Sequence, residues 1–337
     1  MQPAGSFFAY PAAPDLIALE ADENPRFWVT IDTEEDFDWE APFTRSDYRL
    51  ASVPALAECQ DYFGRAGVRP IYLVDWPIVA DDRAVEILGA AQDAGGCEIG
   101  AQLHPWVTPP HDEEVNERNS YTGNLSAGLQ RAKMTALRDA IRDRFGVAPT
   151  AYRAGRYGLG PETAAMLVDL GFRCDTSVRS GFDYRAGHGP NYRDAPLHPW
   201  WVRTGQGAIL EMPVTTVFGG LFGRAGRWLY HRTSSNSHAA LARLGLAERI
   251  ALTPEGIPAD RACAAIDIAI DLRLPVLNFS FHSPSLQPGN TPYVRSLADL
   301  DLFYRWWDVV LDHLARRGIA PTTTAEIVAM AERKAAR

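Results

Sequence analysis

Residues 27–38 have the sequence FWVTIDTEEDFD, in which an apolar, β-branched run leads directly into five acidic side chains. Such a run is typical of a buried β-strand, and we place this strand at residues 27–32. Similar runs follow at residues 70–74, 97–102, 150–153, 172–175 and 276–281, with shorter ones near residues 209–213 and at Pro321. Because helical patterns separate them, the sequence predicts parallel βα units with about seven strands.

The helical patterns are long and regular. They cover residues 53–65, 83–93, 128–145, 260–271 and 297–316, and two more begin at Pro161 and after Pro321. The pattern at 297–316 places Leu300, Phe303, Trp307, Val310 and Leu314 at helical spacing on one face. No repeat divides the chain, so we expect one domain over residues 1–337. Residues of about 180–252 are irregular and rich in Gly, Arg and Trp, and we predict a lid or insertion there.

Composition excludes several classes of function. With 33 basic and 42 acidic side chains the formal net charge is −9, and no basic cluster indicates a nucleic-acid partner. No apolar run is long enough to span a membrane, and the N-terminus lacks a secretory pattern, so we expect a cytoplasmic protein. The four cysteines are scattered, which argues against a zinc knot or a redox dithiol. A homo-oligomer is left open.

In a β/α barrel, residues that carry chemistry stand at the carboxyl ends of the strands. At those places the chain has carboxylates, imidazoles, guanidinium groups and an amide: Asp32, Glu34, Glu35, Asp36, Asp38, Gln102, His104, Arg153, Arg156, Tyr157, Asp175 and His282. This set suits general acid–base chemistry with a divalent metal. Strand alternation makes residues 32 and 34 face the same way, which favours Asp32 and Glu34 acting at one site.

Six segments also resemble, in order, the motifs of the polysaccharide deacetylases, a NodB-homology, carbohydrate esterase 4-like family. They are TIDTEEDFDW, EIGAQLHPW, YRAGRYG, FRCDTSV, ILEMPVT and NFSFHSPSL, and the resemblance spans roughly residues 27–325. The segments DTEEDFDW, HPWVTPP and FHSPSLQPGNTPYV look most similar to the WalW-like branch. The resemblance implies a distorted (β/α)7 barrel of the polysaccharide deacetylase type.

The resemblance also implies an activity, which is removal of an N-acetyl or related acyl group from a sugar or polysaccharide precursor. Asp32 would be the base, Arg153 would hold its carboxylate, and His282 would be the acid that protonates the leaving amine.

The family's metal is normally held by one carboxylate and two histidines, but here Thr33, Gln102 and Trp106 occupy the usual ligand positions. We therefore predict Glu34 and His104 as metal ligands, with zinc, weakly bound or absent, as the cofactor.

A carbohydrate or small amide is the expected partner of this site. The predicted substrate-binding residues are Gln102, Trp106, Arg156, Tyr157 and Asp175, with Trp106 placed to stack on a sugar. Two other hypotheses stay open. One is an allantoinase-like hydrolase of a small cyclic amide or ureide. The other is a non-catalytic sugar-binding protein that has lost its metal ligands.

Overall fold

The computed structural model describes residues 5–20, 22–38, 41–223, 226–233 and 235–335. Its main feature is a curled sheet with seven parallel strands. In chain order these are β1 (Arg26–Thr33), β2 (Ile71–Val74), β3 (Glu98–Leu103), β4 (Ala151–Ala154), β5 (Cys174–Asp175), β7 (Gly207–Glu211) and β10 (Val276–His282). Their order across the sheet is β10-β1-β2-β3-β4-β5-β7. This arrangement confirms the predicted distorted (β/α)7 barrel.

Two further strands extend this sheet. β6 (Trp200–Thr204) pairs antiparallel with β7 at the outer edge, and the short β11 (Ala320–Pro321) pairs parallel with the beginning of β1. The open side between β7 and β10 is bridged by the chain that follows β7. There the Thr215 amide donates to the Asn278 carbonyl at 3.3 Å, and the Asn278 amide donates to Thr215 Oγ1 at 2.8 Å.

The helices cover the outside of the sheet. They are α1 (Ala55–Arg65), α2 (Trp76–Ala80), α3 (Asp82–Asp93), α4 (Ala127–Phe145), α5 (Thr163–Asp169), α6 (Gly226–Arg232), α7 (Ser235–Arg243), α8 (Ala259–Asp271), α9 (Leu297–Arg316) and α10 (Thr324–Ala335). The residues of α9 form a helix because Ser296 and Asp299 make a reciprocal capping box at its start. Trp307 of α9 is fully buried against Phe63 and Phe281. None of the helices within the described ranges combines the length and apolar character needed to cross a membrane.

The region of about 180–252, for which a lid or insertion is predicted, lies partly inside and partly outside the main sheet. It contributes β6 and β7 to the main sheet, where Leu210 lies opposite Cys174 of β5 and both side chains are buried. The apolar residues of β7 are therefore part of the barrel. The part outside the main sheet is a two-stranded ribbon of β8 (Thr216–Gly219) and β9 (Glu248–Ala251), with α6 and α7 between them.

Candidate active site

The carboxyl ends of β1, β3, β4 and β10 surround a cavity of about 310 Å³, hereafter the central cavity. Nine of the ten residues predicted from the sequence line it, which are Asp32, Glu34, Gln102, His104, Trp106, Arg153, Arg156, Tyr157 and His282. The other lining residues are Phe37, Asp38, Ala41, Phe43, Tyr121, Ala154, Arg179, Tyr184 and Tyr293. The rule that the carboxyl ends of parallel strands converge therefore predicted which residues lie together around this cavity.

Asp32 is a buried carboxylate held in a fixed orientation. Arg153 Nη1 donates to Asp32 Oδ1, and the same nitrogen donates to Ser280 Oγ at 2.8 Å. The remaining N–H groups of this guanidinium bond to Thr30 and Thr176. Because β1 and β10 are neighbours in register, His282 lies beside Asp32, and His282 Nε2 is 3.6 Å from Asp32 Oδ2.

Glu255 is a site residue that the sequence reasoning missed. Glu255 Oε2 lies 2.7 Å from His282 Nδ1, and Glu255 Oε1 accepts from the His282 amide at 3.1 Å and from Ser285 Oγ at 2.6 Å. Partial burial lowers the pKa of His282, but the carboxylates of Glu255, Glu34 and Asp32 outweigh it and raise that pKa to about 10. The imidazole therefore carries a proton at neutral pH. The available signal was a carboxylate shortly after β9, just beyond the region of about 180–252 that was interpreted as a lid.

His104 is held by two buried acids. His104 Nδ1 lies 3.0 Å from Glu35 Oε2 and 3.6 Å from Asp75 Oδ2, and Trp106 Nε1 donates to Glu35 Oε1 at 2.9 Å. Burial raises the pKa of Glu35 to about 7 and raises the pKa of Asp75 well above its usual value. Burial therefore favours the protonated form of each acid. Asp75 was not predicted, although it directly follows β2 and caps α2 through the Ile78 amide.

The other nitrogen of His104 lies beside Glu34 and Gln102. Glu34 Oε2 accepts from Gln102 Nε2 at 2.9 Å, and His104 Nε2 lies 3.4 Å from that oxygen and 3.3 Å from Gln102 Nε2. Burial raises the pKa of Glu34 to about 7, against the opposing effect of His282 and His104. Gln102 Oε1 is buried and has no hydrogen-bond partner within the described ranges.

These residues allow a test of the predicted metal site. Glu35, Asp75 and His104 form one buried group whose ligand atoms lie within 4.8 Å of one another. Since His104 Nδ1 is within hydrogen-bonding distance of Glu35, the tautomer with hydrogen on Nδ1 leaves a lone pair on Nε2.

On the Nε2 side of His104, three atoms lie 2.9–3.4 Å from one another, namely Glu34 Oε2, Gln102 Nε2 and His104 Nε2. Tetrahedral zinc ligands lie about 3.4 Å apart. Turning the Gln102 amide by half a turn would present its unpartnered oxygen to an ion. The residues therefore fit a divalent cation, with two strong ligands and one weak one.

The far side of the central cavity is basic and aromatic. Arg156 and Tyr157 follow β4 with φ of 52° and 60°, a conformation that costs L-residues roughly 1–2 kcal/mol each. The guanidinium carbon of Arg156 lies 4.3 Å from the Tyr121 ring centroid and 4.9 Å from that of Phe43. Strain of this kind concentrates at functional sites, which agrees with the side chains' position in the cavity wall.

Two of the predicted substrate-binding residues have close partners within the protein. Trp106 lines the cavity, but its ring stacks on His104 with centroids 4.4 Å apart and packs against Phe43 at 4.5 Å. Side chains of the protein thus already pack against the indole ring that was expected to stack on a sugar. Asp175 is fully buried and is not part of the cavity wall. It accepts from Ser177 and shares a hydrogen bond with Glu211, whose pKa is raised well above its usual value by burial.

No protein-family model matches the sequence, and no curated protein matches it. Among solved structures, the chain is similar to a 4-alpha-glucanotransferase from Thermococcus litoralis, with a TM-score of 0.51, 12% identity and coverage of 91% of this chain and 40% of that one. It is also similar to a family 4 carbohydrate esterase from Streptomyces lividans, with a TM-score of 0.43, 11% identity and coverage of 89% and 93%. The chain is similar to the PuuE allantoinase as well, with a TM-score of 0.49, 14% identity and coverage of 95% of this chain and 97% of that one. Identities this low indicate similarity of fold and not of activity.

Proposed function

We propose that this protein is a hydrolase that removes an N-acetyl or related acyl group from a sugar or polysaccharide precursor. The observation that carries the proposal is the pairing of a protonated imidazole with a fixed carboxylate at the cavity wall. His282 Nε2 lies 3.6 Å from Asp32 Oδ2, and Glu255 and Arg153 hold the two groups in place. The resemblance of six sequence segments to the polysaccharide deacetylases, and to their WalW-like branch, supports the same activity.

Each group has a definite part in such a reaction. Asp32 takes a proton from a water molecule as the water oxygen attacks the acyl carbon. Arg153 keeps the Asp32 carboxylate oriented. His282 Nε2 then donates its proton to the nitrogen as the C–N bond breaks. The products are a free carboxylic acid and an amine. Glu255 does not touch the reacting atoms, and it positions the imidazole and keeps it protonated.

A divalent ion fits beside this pair, and zinc suits the mixed nitrogen and oxygen donors. Glu34 and His104 would hold it, assisted by the Gln102 amide oxygen. When bound, such an ion polarises the acyl carbonyl and acidifies water. The weak third ligand predicts partial occupancy.

A second candidate function is hydrolysis of a small cyclic amide or ureide, as in allantoinase. The size of the central cavity favours it, because about 310 Å³ is near the lower end for ligand sites. Both reactions break an amide C–N bond, so the same acid and base would serve. They differ in their products: deacylation releases the acid and the amine as two molecules, whereas ring opening leaves both groups in one molecule.

The test is a substrate screen with purified protein, measured by acetate release from N-acetyl sugars and by ring opening of cyclic ureides. Asp32→Asn is the inactive variant. Asp267→Asn, which alters a carboxylate paired with His313 away from the cavity, is the matched control. Acetate release that Asp32→Asn abolishes supports the deacetylase. Ring opening without acetate release supports the second candidate. Sugar binding without turnover would contradict both.

A further inference from the structure

Two of the three arginines in the wall of the central cavity differ from the third in their ionic partners. Arg153 is neutralised by Asp32, but no ion pair joins Arg156 or Arg179 to a carboxylate in the described part of the chain. The chain has 42 acidic and 33 basic residues, so acidic side chains are more numerous than the basic ones that they could pair with. A guanidinium group left without a counter-charge at a partly buried site is costly unless something else supplies the negative charge.

Arg179 shows this most clearly. Its Nη1 donates to the Tyr184 hydroxyl at 3.2 Å, but its Nε is buried and has no hydrogen-bond partner among the residues that the structure describes. The guanidinium carbon lies 4.1 Å from the Phe182 ring centroid and 4.8 Å from that of Tyr157. Aromatic rings thus hold the group in place without satisfying its donors. The planar fork remains available for an acceptor with two oxygens.

Arg156 lies in the same wall. It packs on Tyr121 and Phe43 and donates to Ser120 Oγ, so most of its N–H groups also lack an acceptor within the described part of the protein. Its backbone has a φ of 52°, a strained left-handed conformation, at the position from which the side chain enters the cavity wall. A strained backbone that presents an unpaired cation is better explained by ligand binding than by stability.

Arg156 and Arg179 line the same cavity as the proposed acid and base, and Tyr157 is a neighbour of both groups. The Tyr157 ring lies near both Arg153 and Arg179, with its centroid 6.0 Å from the guanidinium carbon of Arg153 and 4.8 Å from that of Arg179. An anionic group held by Arg179 would therefore lie near the Tyr157 ring, which also neighbours the Arg153–Asp32 pair. A sugar carrying both an acyl amide and an anionic group could reach both places.

We propose that Arg156 and Arg179 bind a carboxylate or phosphate group of the substrate, so that the site takes an acidic sugar, such as a uronic acid or a sugar phosphate. This inference rests on the proposed function for the identity of the reacting bond. Carboxylates and phosphates share the paired oxygens that an arginine fork binds. The neutral remainder of the sugar would lie against Tyr157 and Tyr184.

The experiment measures binding with sugars that have no acyl group, so that hydrolysis plays no part. Calorimetry compares glucose, glucuronate and glucose 6-phosphate on the wild-type protein and on Arg156→Gln, Arg179→Gln and Arg179→Lys. Arg316→Gln removes an exposed arginine of α9 that pairs with Asp312, and it serves as the charge-matched control. Thermal melting checks that each variant is folded.

We expect at least one acidic sugar to bind about ten-fold more tightly than glucose, the usual value of a charge-assisted hydrogen bond. The tighter of the two identifies the anion. Arg179→Gln and Arg156→Gln should each reduce this preference, Arg179→Lys should keep part of it, and Arg316→Gln should leave it unchanged. Equal binding of all three sugars, or a preference that survives both Gln variants, would overturn the anion site. Neither result would bear on the hydrolase, which the acetate-release screen tests separately.

Discussion

Two histidines face the central cavity, and comparison of their surroundings separates two kinds of chemistry. In each, Nδ1 lies against a carboxylate, which is Glu255 at 2.7 Å for His282 and Glu35 at 3.0 Å for His104. In each, Nε2 lies within 4 Å of a carboxylate from the end of β1. The two imidazoles are therefore oriented in the same manner by different parts of the chain.

The difference lies in burial and in the third neighbour. The side chain of His282 is 21% exposed, whereas that of His104 is 3% exposed and has Gln102 beside Nε2. An imidazole that is open to the cavity can pass a proton to a ligand. One that is enclosed by a carboxylate and an amide is arranged to hold a cation. We therefore assign proton transfer to the first and metal binding to the second.

The largest effect is expected for the carboxylate that faces His282. Asp32→Asn should lower hydrolysis by at least ~100-fold, the usual contribution of a positioned base. The fold should persist, because asparagine keeps an oxygen for Arg153. Steady-state turnover checks this, with Asp267→Asn as the control. Near-normal turnover would remove Asp32 from the mechanism.

The next prediction concerns His282 itself. His282→Ala should reduce hydrolysis of an N-acetyl sugar far more than that of an aryl acetate, because an amine must be protonated to leave and a phenolate need not be. The two substrates are compared in one preparation. His313→Ala, which removes another carboxylate-paired imidazole at Asp267, should change neither rate. Equal losses on both substrates would show that His282 does not act by protonating the leaving amine.

For His104 the expected effect is on metal content. Elemental analysis of dialysed protein should find substoichiometric zinc, and Glu34→Ala or His104→Ala should remove it. His198→Ala, which alters a histidine bonded to the Leu272 carbonyl, is the control and should not change the zinc content. Full occupancy that both cavity variants retain would show that the ion is held elsewhere.

A smaller effect is expected from Glu255→Gln. Because the carboxylate of Glu255 helps to raise the pKa of His282 to about 10, activity should decline on the alkaline side as pH passes that value. Loss of the negative charge favours the neutral imidazole, so the decline should move to lower pH. A pH–rate profile measures the shift. Glu248→Gln, whose carboxylate pairs with Arg261, is the control. An unchanged alkaline limb would contradict the assigned role.

The smallest predicted effect is on stability. The pKa of Glu35 is raised by burial from 4.5 to about 7, so the folded state binds more protons than the unfolded state between these values. The free energy of unfolding should therefore fall as pH rises through this window, and Glu35→Gln should weaken the fall. Urea denaturation at pH 5 and pH 8 tests it. An identical pH dependence in wild type and variant would argue against the raised pKa.

Residues 27–38 and the strands that follow them were enough to predict the barrel and most of the site. The apolar run at 27–32 can bury its side chains only inside a sheet, and βα alternation makes the other strands parallel to it. Parallel strands present their carboxyl ends at one rim, which placed Asp32, Arg153 and His282 together before any contact was known. Local pattern was sufficient here because strand direction and rim position follow from chain order.

The partners of these side chains depended on contacts between distant segments. Glu255 reaches His282 because the Leu252 amide, after β9, donates to the Thr215 carbonyl and places this segment beside β10. Nothing periodic in residues 180–252 indicates that pairing. Asp175, at a strand end, was assigned to the substrate, but its carboxylate is bonded to Ser177 and Glu211. Sequence periodicity specifies the strand and the end at which a residue stands, whereas its neighbours, burial and pKa arise from long-range packing.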